Sequence, residues 1–232
     1  MIISGIQKIT LLDYPGKVAA TIFTFGCNFR CGFCHNPELV HSEKRDLNNQ
    51  WTEEAVLNFL KERQGLLEGL VVTGGEPTLH QDLAKFLQQV KDLGFLIKLD
   101  TNGTNSQMIS DLRQKGLVDF WAMDIKNSFP KYFLTVDKTF DLSEIEKSID
   151  LVKTGPEDYE FRTTIVEGLH EPADILAMAQ MVEGAKKYVL QKFISRDNLV
   201  NSEFVGRKSI SDEELTSLAK ACEQWVEKCE IR

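Results

Sequence analysis

From Val18 onward the chain alternates between two hydrophobic rhythms. Short apolar runs rich in β-branched residues read as buried strands at Val18–Phe25, Gly69–Thr73, Phe95–Asp100, Val118–Ile125, Tyr159–Val166 and Lys187–Ile194. Between them, apolar positions recur at helical spacing over Glu53–Arg63, Gln81–Leu93, Ser106–Lys115, a segment from Ser143 that stops before Gly155, a segment from Pro172 to Val182, and a last one from Ser211 to Lys228. The flanking residues agree with these limits. Thr52 suits an N-cap, Ser143–Glu146 and Ser211–Glu214 read as capping boxes, Pro172 fits a first helical turn, and Gly94 and Gly116 stand where helices end.

Repeated strand–helix units imply parallel strands joined by right-handed crossovers. Six units are too few to close an eight-stranded barrel. The expected fold class is therefore α/β, an open partial (β/α)6 barrel with mostly parallel strands, and a doubly wound sheet is the alternative. No Gly/Ser-rich linker interrupts the chain, so residues 1–232 are expected to form a single domain. The loops Pro37–Gln50 and Ser195–Ile210 are the longest, and are candidates for mobile or partner-binding segments.

Composition narrows the function classes. Hydrophobic residues make up 42%, enough for a sizeable core. With 35 acidic and 27 basic side chains the net charge is -8, which opposes nucleic acid as a partner. No apolar run reaches the ~20 residues needed to span a bilayer, and the N-terminus lacks a secretory pattern. A cytoplasmic protein with free thiols is expected, without a disulfide framework.

Three of the five cysteines, Cys27, Cys31 and Cys34, lie within eight residues just past the first predicted strand. The C-x3-C-x2-C spacing is neither that of a zinc finger nor the four-cysteine run of a bacterial ferredoxin. Three thiolates suit three irons of a [4Fe-4S] cube whose fourth iron stays open to a ligand. Zinc is the rival, with His35 or the more distant His41 as fourth ligand. Cys222 and Cys229 are expected as plain cysteines on one face of the last helix.

Ligands of parallel-sheet proteins gather at the carboxyl ends of the strands, and the unusual residues fall there. The second strand ends in Gly74-Gly75-Glu76-Pro77, where two unhindered backbone units and a carboxylate suit an ammonium group, although a tight turn explains the glycines equally well. The third ends in Asp100-Thr101-Asn102-Gly103, and the fourth carries Asp124-Ile125-Lys126. Two carboxylates on adjacent strand ends repel unless a cation lies between them. Arg162 and Gln191 mark the fifth and sixth strands, where each can equally be a satisfied polar group.

C-x3-C-x2-C, with the aromatic Phe33 before its last cysteine, resembles the radical S-adenosylmethionine (SAM) superfamily. Within it, Leu12-Asp13-Tyr14-Pro15-Gly16, Gly26-Cys27-Asn28-Phe29-Arg30-Cys31, Cys34-His35-Asn36-Pro37 and the two glycine-containing motifs resemble the activating proteins of anaerobic ribonucleoside-triphosphate reductase. The resemblance implies that Cys27, Cys31 and Cys34 ligate the [4Fe-4S] cluster, and that Gly74, Gly75 and Glu76 hold the SAM amino group. It also implies cofactor contacts from Phe33, Asp100, Thr101, Asn102, Asp124, Arg162 and Gln191, with a monovalent cation beside Asp100, Thr101 and Asp124. Reductive SAM cleavage would give a 5′-deoxyadenosyl radical that takes a hydrogen from a glycine of a partner glycyl radical enzyme. A low-potential donor such as flavodoxin or ferredoxin would supply the electron. Two other readings stay open: a radical SAM enzyme acting on a small molecule, similar to 7-carboxy-7-deazaguanine synthase, and a zinc or electron-transfer module.

Overall fold

The structure is a computed structural model that describes residues 1–40 and 51–232. His41, weighed above as a zinc ligand, and most of the first long loop lie outside the described residues. Among the described residues, eight strands form one sheet in chain order: β1 (Ile3–Thr10), β2 (Ala19–Thr24), β3 (Gly69–Gly74), β4 (Leu96–Thr101), β5 (Phe120–Asp124), β6 (Asp158–Ile165), β7 (Tyr188–Lys192) and β8 (Cys229–Ile231). β1 runs antiparallel to β2, and every later pairing is parallel. The sheet does not close, so the fold is the expected open partial barrel, with β2–β7 as the six anticipated strands.

The two edge strands are additions. β1 buries only Ile3 and Thr10, and its Gln7, Lys8 and Ile9 are exposed, so it carries little apolar signal. β8 has three residues, none fully buried. The last helix ends at Cys222 instead of Lys228, and Cys229 opens β8, so the two cysteines do not share a helical face. Their thiols meet across the helix–strand junction.

Among the described residues, eight α-helices connect the strands: α1 (Pro37–Val40), α2 (Glu53–Lys61), α3 (Leu83–Asp92), α4 (Ser106–Gln114), α5 (Tyr132–Val136), α6 (Ser143–Lys153), α7 (Pro172–Met181) and α8 (Asp212–Cys222). Thr52, Asn105 and Ser211 cap α2, α4 and α8 through their side chains. The capping box expected at Ser143 does not form: Ser143 is the first helical residue and donates its N–H to Asp141 Oδ1 at 3.0 Å. Glu144 instead accepts from the Ser106 hydroxyl at 2.6 Å, which ties α6 to the start of α4.

Alternation along the strands separates two faces. One packs Val72, Leu99, Trp121, Phe161 and Leu190 against helical residues such as Phe86, Ile109, Ile149 and Met178. Each fully buried large side chain of this kind contributes about 1.5–3 kcal/mol. The other face has a small apolar floor of Tyr14, Ala19 and Val71 with Leu96 and Phe120 against it; the Tyr14 and Phe120 ring centroids are 6.0 Å apart. Beyond this floor the same face turns ionic. Lys98, 1% exposed, pairs with Asp100 and lies 5.9 Å from the Phe120 ring centre, so its buried ammonium is compensated twice. Among the described residues no helix is long and apolar enough to cross a membrane.

Candidate active site

The carboxyl ends of β2–β6 surround a cavity of about 210 Å³. Cys27, Cys31 and Cys34 form one wall, joined by Phe33. The cysteine loop is held by backbone contacts from the segment just after it and from a distant one. Gly26 N–H donates to Leu39 O at 2.9 Å, Asn201 N–H to Gly32 O at 3.0 Å and Val200 N–H to Cys34 O at 3.2 Å. The second long loop therefore packs over the cysteines. Arg30 braces the loop from within, donating to the carbonyls of Cys27 and Phe29 at 2.7 Å each. Phe33 is buried in edge contacts with His170 and Phe193.

Burial pushes the Cys27 thiol up to about 11 and the Cys31 thiol to about 12, and raises Cys34 as well, while the nearby Lys126 ammonium pulls all three back. Near neutral pH these are protonated thiols, and a metal centre binds by displacing their protons. Among the described residues no group of three His, Cys, Asp or Glu side chains is arranged to hold a single metal ion. The three thiols still face one cavity. Three thiols on one cavity wall suit a polynuclear cluster with one iron per thiolate. The Phe29 N–H, 3.4 Å from Cys27 Sγ, adds a donor of the kind that stabilises bound thiolate. The donor set thus fits an iron–sulfur cluster.

The glycine turn after β3 is the second wall. Gly74 has φ +120°, and a Cβ there would lie 2.3 Å from Thr24 N, so only glycine fits. Glu76 is 1% exposed, and its carboxylate accepts four hydrogen bonds: from Thr78 N at 3.1 Å, Thr78 Oγ1 at 2.6 Å, Thr101 Oγ1 at 2.7 Å and Asn102 N at 2.6 Å. Burial raises its pKa against these donors.

Asp100, Thr101, Asn102 and Asp124 complete the cavity. Arg162 lies between the two aspartates, with Nε 2.9 Å from Asp124 Oδ1 and Nη1 3.2 Å from Asp100 Oδ2. Lys126 Nζ is 3.0 Å from Asp124 Oδ2, and Lys98 engages Asp100 Oδ1. Burial alone would raise both carboxyls. Arg162 and the lysines outweigh it, lowering Asp100 and holding Asp124 at about 2. The cationic group expected between the carboxylates is thus a guanidinium of the chain itself.

Of the residues singled out from the sequence, Arg162 and Gln191 are not on the cavity wall. Arg162 bridges the aspartates that do line it, and Gln191, on β7, pairs in register with Thr164, which lines it as well. Lys126, His35 and Asn36 line the cavity without having been assigned to it. Lys126 follows the end of β5 by two residues and reaches the cavity beside Asp124, whose carboxylate it pairs with. The His35 ring stacks on Phe193 at 5.3 Å and donates from Nε2 to Ile194 O at 2.7 Å.

Residues 21–181 match the family model described as the radical SAM superfamily. A Methanocaldococcus jannaschii protein provisionally named a glycyl-radical enzyme activating enzyme is 34% identical over 239 residues, covering 100% of this chain and 95% of its own length. The pyruvate formate-lyase-activating enzyme of Streptococcus mutans is 26% identical over 197 residues, covering 81% of this chain and 62% of the relative. In fold, the chain is similar to QueE from Escherichia coli, with a TM-score of 0.57 and 14% identity over 100% of this chain and 93% of that one. The open barrel, the thiol-lined cavity at its strand ends and the family match over most of the chain lead to one conclusion: the chain belongs to the radical SAM superfamily and is an enzyme of that type.

Proposed function

We propose that the protein is a glycyl-radical-enzyme activase whose partner is an anaerobic ribonucleoside-triphosphate reductase. Family membership implies a [4Fe-4S] cluster and SAM. When bound, they supply low-potential electron transfer that cleaves SAM and lets a glycine hydrogen be removed. Cys27, Cys31 and Cys34 would hold three irons. The backbone of Gly74 and Gly75 would approach the SAM amino group, and Phe33, Thr101 and Asn102 would shape the wall around the cofactor. Lys126 offers its ammonium to a carboxylate, since Asp124 holds it firmly charged against the cost of burial. Arg162 keeps Asp100 and Asp124 ionised side by side. A monovalent cation at these aspartates belongs to the proposal and would have to displace Lys98, Arg162 or Lys126 from a carboxylate oxygen. A low-potential donor such as flavodoxin or ferredoxin belongs to it too.

The observation that carries the activase reading is the similarity to the M. jannaschii activating enzyme along the whole chain. The test is anaerobic mixing of the reduced protein, SAM and candidate glycyl radical enzymes. A glycyl radical signal on the partner with matching 5′-deoxyadenosine is expected. Turnover of a small metabolite with no response from any glycyl radical enzyme overturns the activase in favour of a small-molecule enzyme.

A further inference from the structure

Three loops around the cavity are joined by a closed ring of hydrogen bonds. The first is the cysteine loop, where Gly26 O accepts from Glu76 N at 2.7 Å. The second is the glycine turn, where the Glu76 carboxylate accepts from Thr101 Oγ1 and Asn102 N of the third loop at 2.7 and 2.6 Å. The third returns to the first: Asn102 Nδ2 donates to Asn28 Oδ1 at 2.8 Å, and Asn28 Nδ2 donates to Thr104 Oγ1 at 2.8 Å. Thr104 Oγ1 in turn donates to Asn102 Oδ1 at 2.7 Å, so both side-chain amides are fixed in orientation.

We infer that Asn28 and Glu76 are positioning residues, which fasten the loop carrying Cys27 to the two loops that face the cofactor. The inference rests on the reading that SAM binds in this cavity beside a cluster. Asn28 adjoins Cys27 but is not among the residues lining the cavity. Any effect it has on SAM must pass through the ring. Glu76 does line the cavity, yet Oε1 takes three donors, from Thr78 N, Thr78 Oγ1 and Thr101 Oγ1, and Oε2 takes one from Asn102 N. Both oxygens are engaged by the loops before any ligand arrives. A donor placed at either carboxylate oxygen leaves a backbone N–H without its acceptor, that of Thr78 at Oε1 or that of Asn102 at Oε2, which costs more than a surface bond. The ring therefore sets the spacing between thiols and cofactor loops in advance, so that binding has less to order.

The test uses cluster-loaded Asn28→Ala and Glu76→Gln proteins. Amide hydrogen exchange is followed without SAM over residues 74–78 and 101–104. SAM affinity is read from its shift of the reduced cluster's paramagnetic spectrum, with iron content as a control. Both variants are expected to exchange faster by roughly tenfold at Glu76 and Asn102, and to bind SAM roughly tenfold more weakly, while keeping iron. Asn28→Asp retains the acceptor for Asn102 and should restore most of the affinity lost in Asn28→Ala. Unchanged SAM affinity in Asn28→Ala, or equal loss in Asn28→Ala and Asn28→Asp, overturns the ring. Weak SAM binding with wild-type exchange in Glu76→Gln makes Glu76 a direct ligand contact instead. Because exchange is measured without SAM, wild-type exchange rates in both variants overturn the ring even if the native protein binds no SAM, a result that by itself would count against the proposed function.

Discussion

A Cβ placed on Gly75 would lie 2.0 Å from the carbonyl oxygen of Gly26. The glycine turn and the cysteine loop thus touch backbone to backbone, with no flexible side chain between them to yield. Gly75→Ala, and more so Gly75→Val, must push the two loops apart. Overpacking of this kind costs about 1–3 kcal/mol. Denaturant unfolding should show that loss, and SAM titration should show weaker binding, while iron content stays near wild type. Unchanged stability and affinity in Gly75→Val would show that the loops part freely.

Arg162→Gln removes the guanidinium that joins Asp100 to Asp124. Taking one partner from a largely buried ion network leaves a charge uncompensated, at a cost of about 3 kcal/mol. Urea unfolding is expected to register it, and Arg162→Lys should recover only part, since an ammonium cannot span both carboxylates with the same fork. Equal stability of Arg162→Gln and wild type would mean that Lys98 and Lys126 suffice alone.

The same network predicts a pH response. Asp100 and Asp124 both titrate lower in the folded chain than when unfolded, Asp124 at about 2 against an ordinary 3.8. A depressed carboxyl contributes stability that is full above its unfolded value and is lost as pH falls through its folded one. The loss should run from about pH 4 down to about pH 2, amounting to something on the order of 2 kcal/mol for Asp124. Asp124→Asn should flatten that slope in acid unfolding measurements. A slope of wild-type steepness in the variant would assign the acid sensitivity elsewhere.

Anaerobic reconstitution should load about four irons per chain. Cys27→Ala, Cys31→Ala or Cys34→Ala should abolish loading, whereas Cys222→Ala and Cys229→Ala should leave it intact. Iron and sulfide analysis with the visible absorption spectrum decides this. Stoichiometric zinc without sulfide would return the loop to a mononuclear site, and iron loss in Cys222→Ala would tie the C-terminal thiols to the centre.

The central strands were legible because each is an apolar run bounded by glycine or a helix cap, and Trp121, Phe161 and Leu190 bury fully as such runs predict. The edges were not. β1 has few buried positions, and β8 is held by contacts such as the Arg232 pair to Glu160, at 2.9 and 2.6 Å, which no local pattern announces. In the site, the cysteines, the glycine turn and the aspartates could be read from motif and register. Asn28 stands in the stretch from Gly26 to Cys31 that carries the resemblance, but its tie to Asn102 and Thr104 is visible only once the sheet brings those residues beside it. The pairing of Arg162 with two strands at once likewise needs the sheet order, which periodicity does not supply.

Strand order along the sheet repeats strand order along the chain, yet the cysteine loop takes backbone donors from Val200 and Asn201. The consequence is one of timing. During synthesis the three thiols emerge first, the glycine turn about 40 residues later, and the donors that finish the loop only after a further ~125 residues. The thiols stay bare over that whole interval. The enclosure for a centre is ready only once the segment through Asn201 has been made and folded, so a nascent chain that stops short of it is a poor recipient in biogenesis.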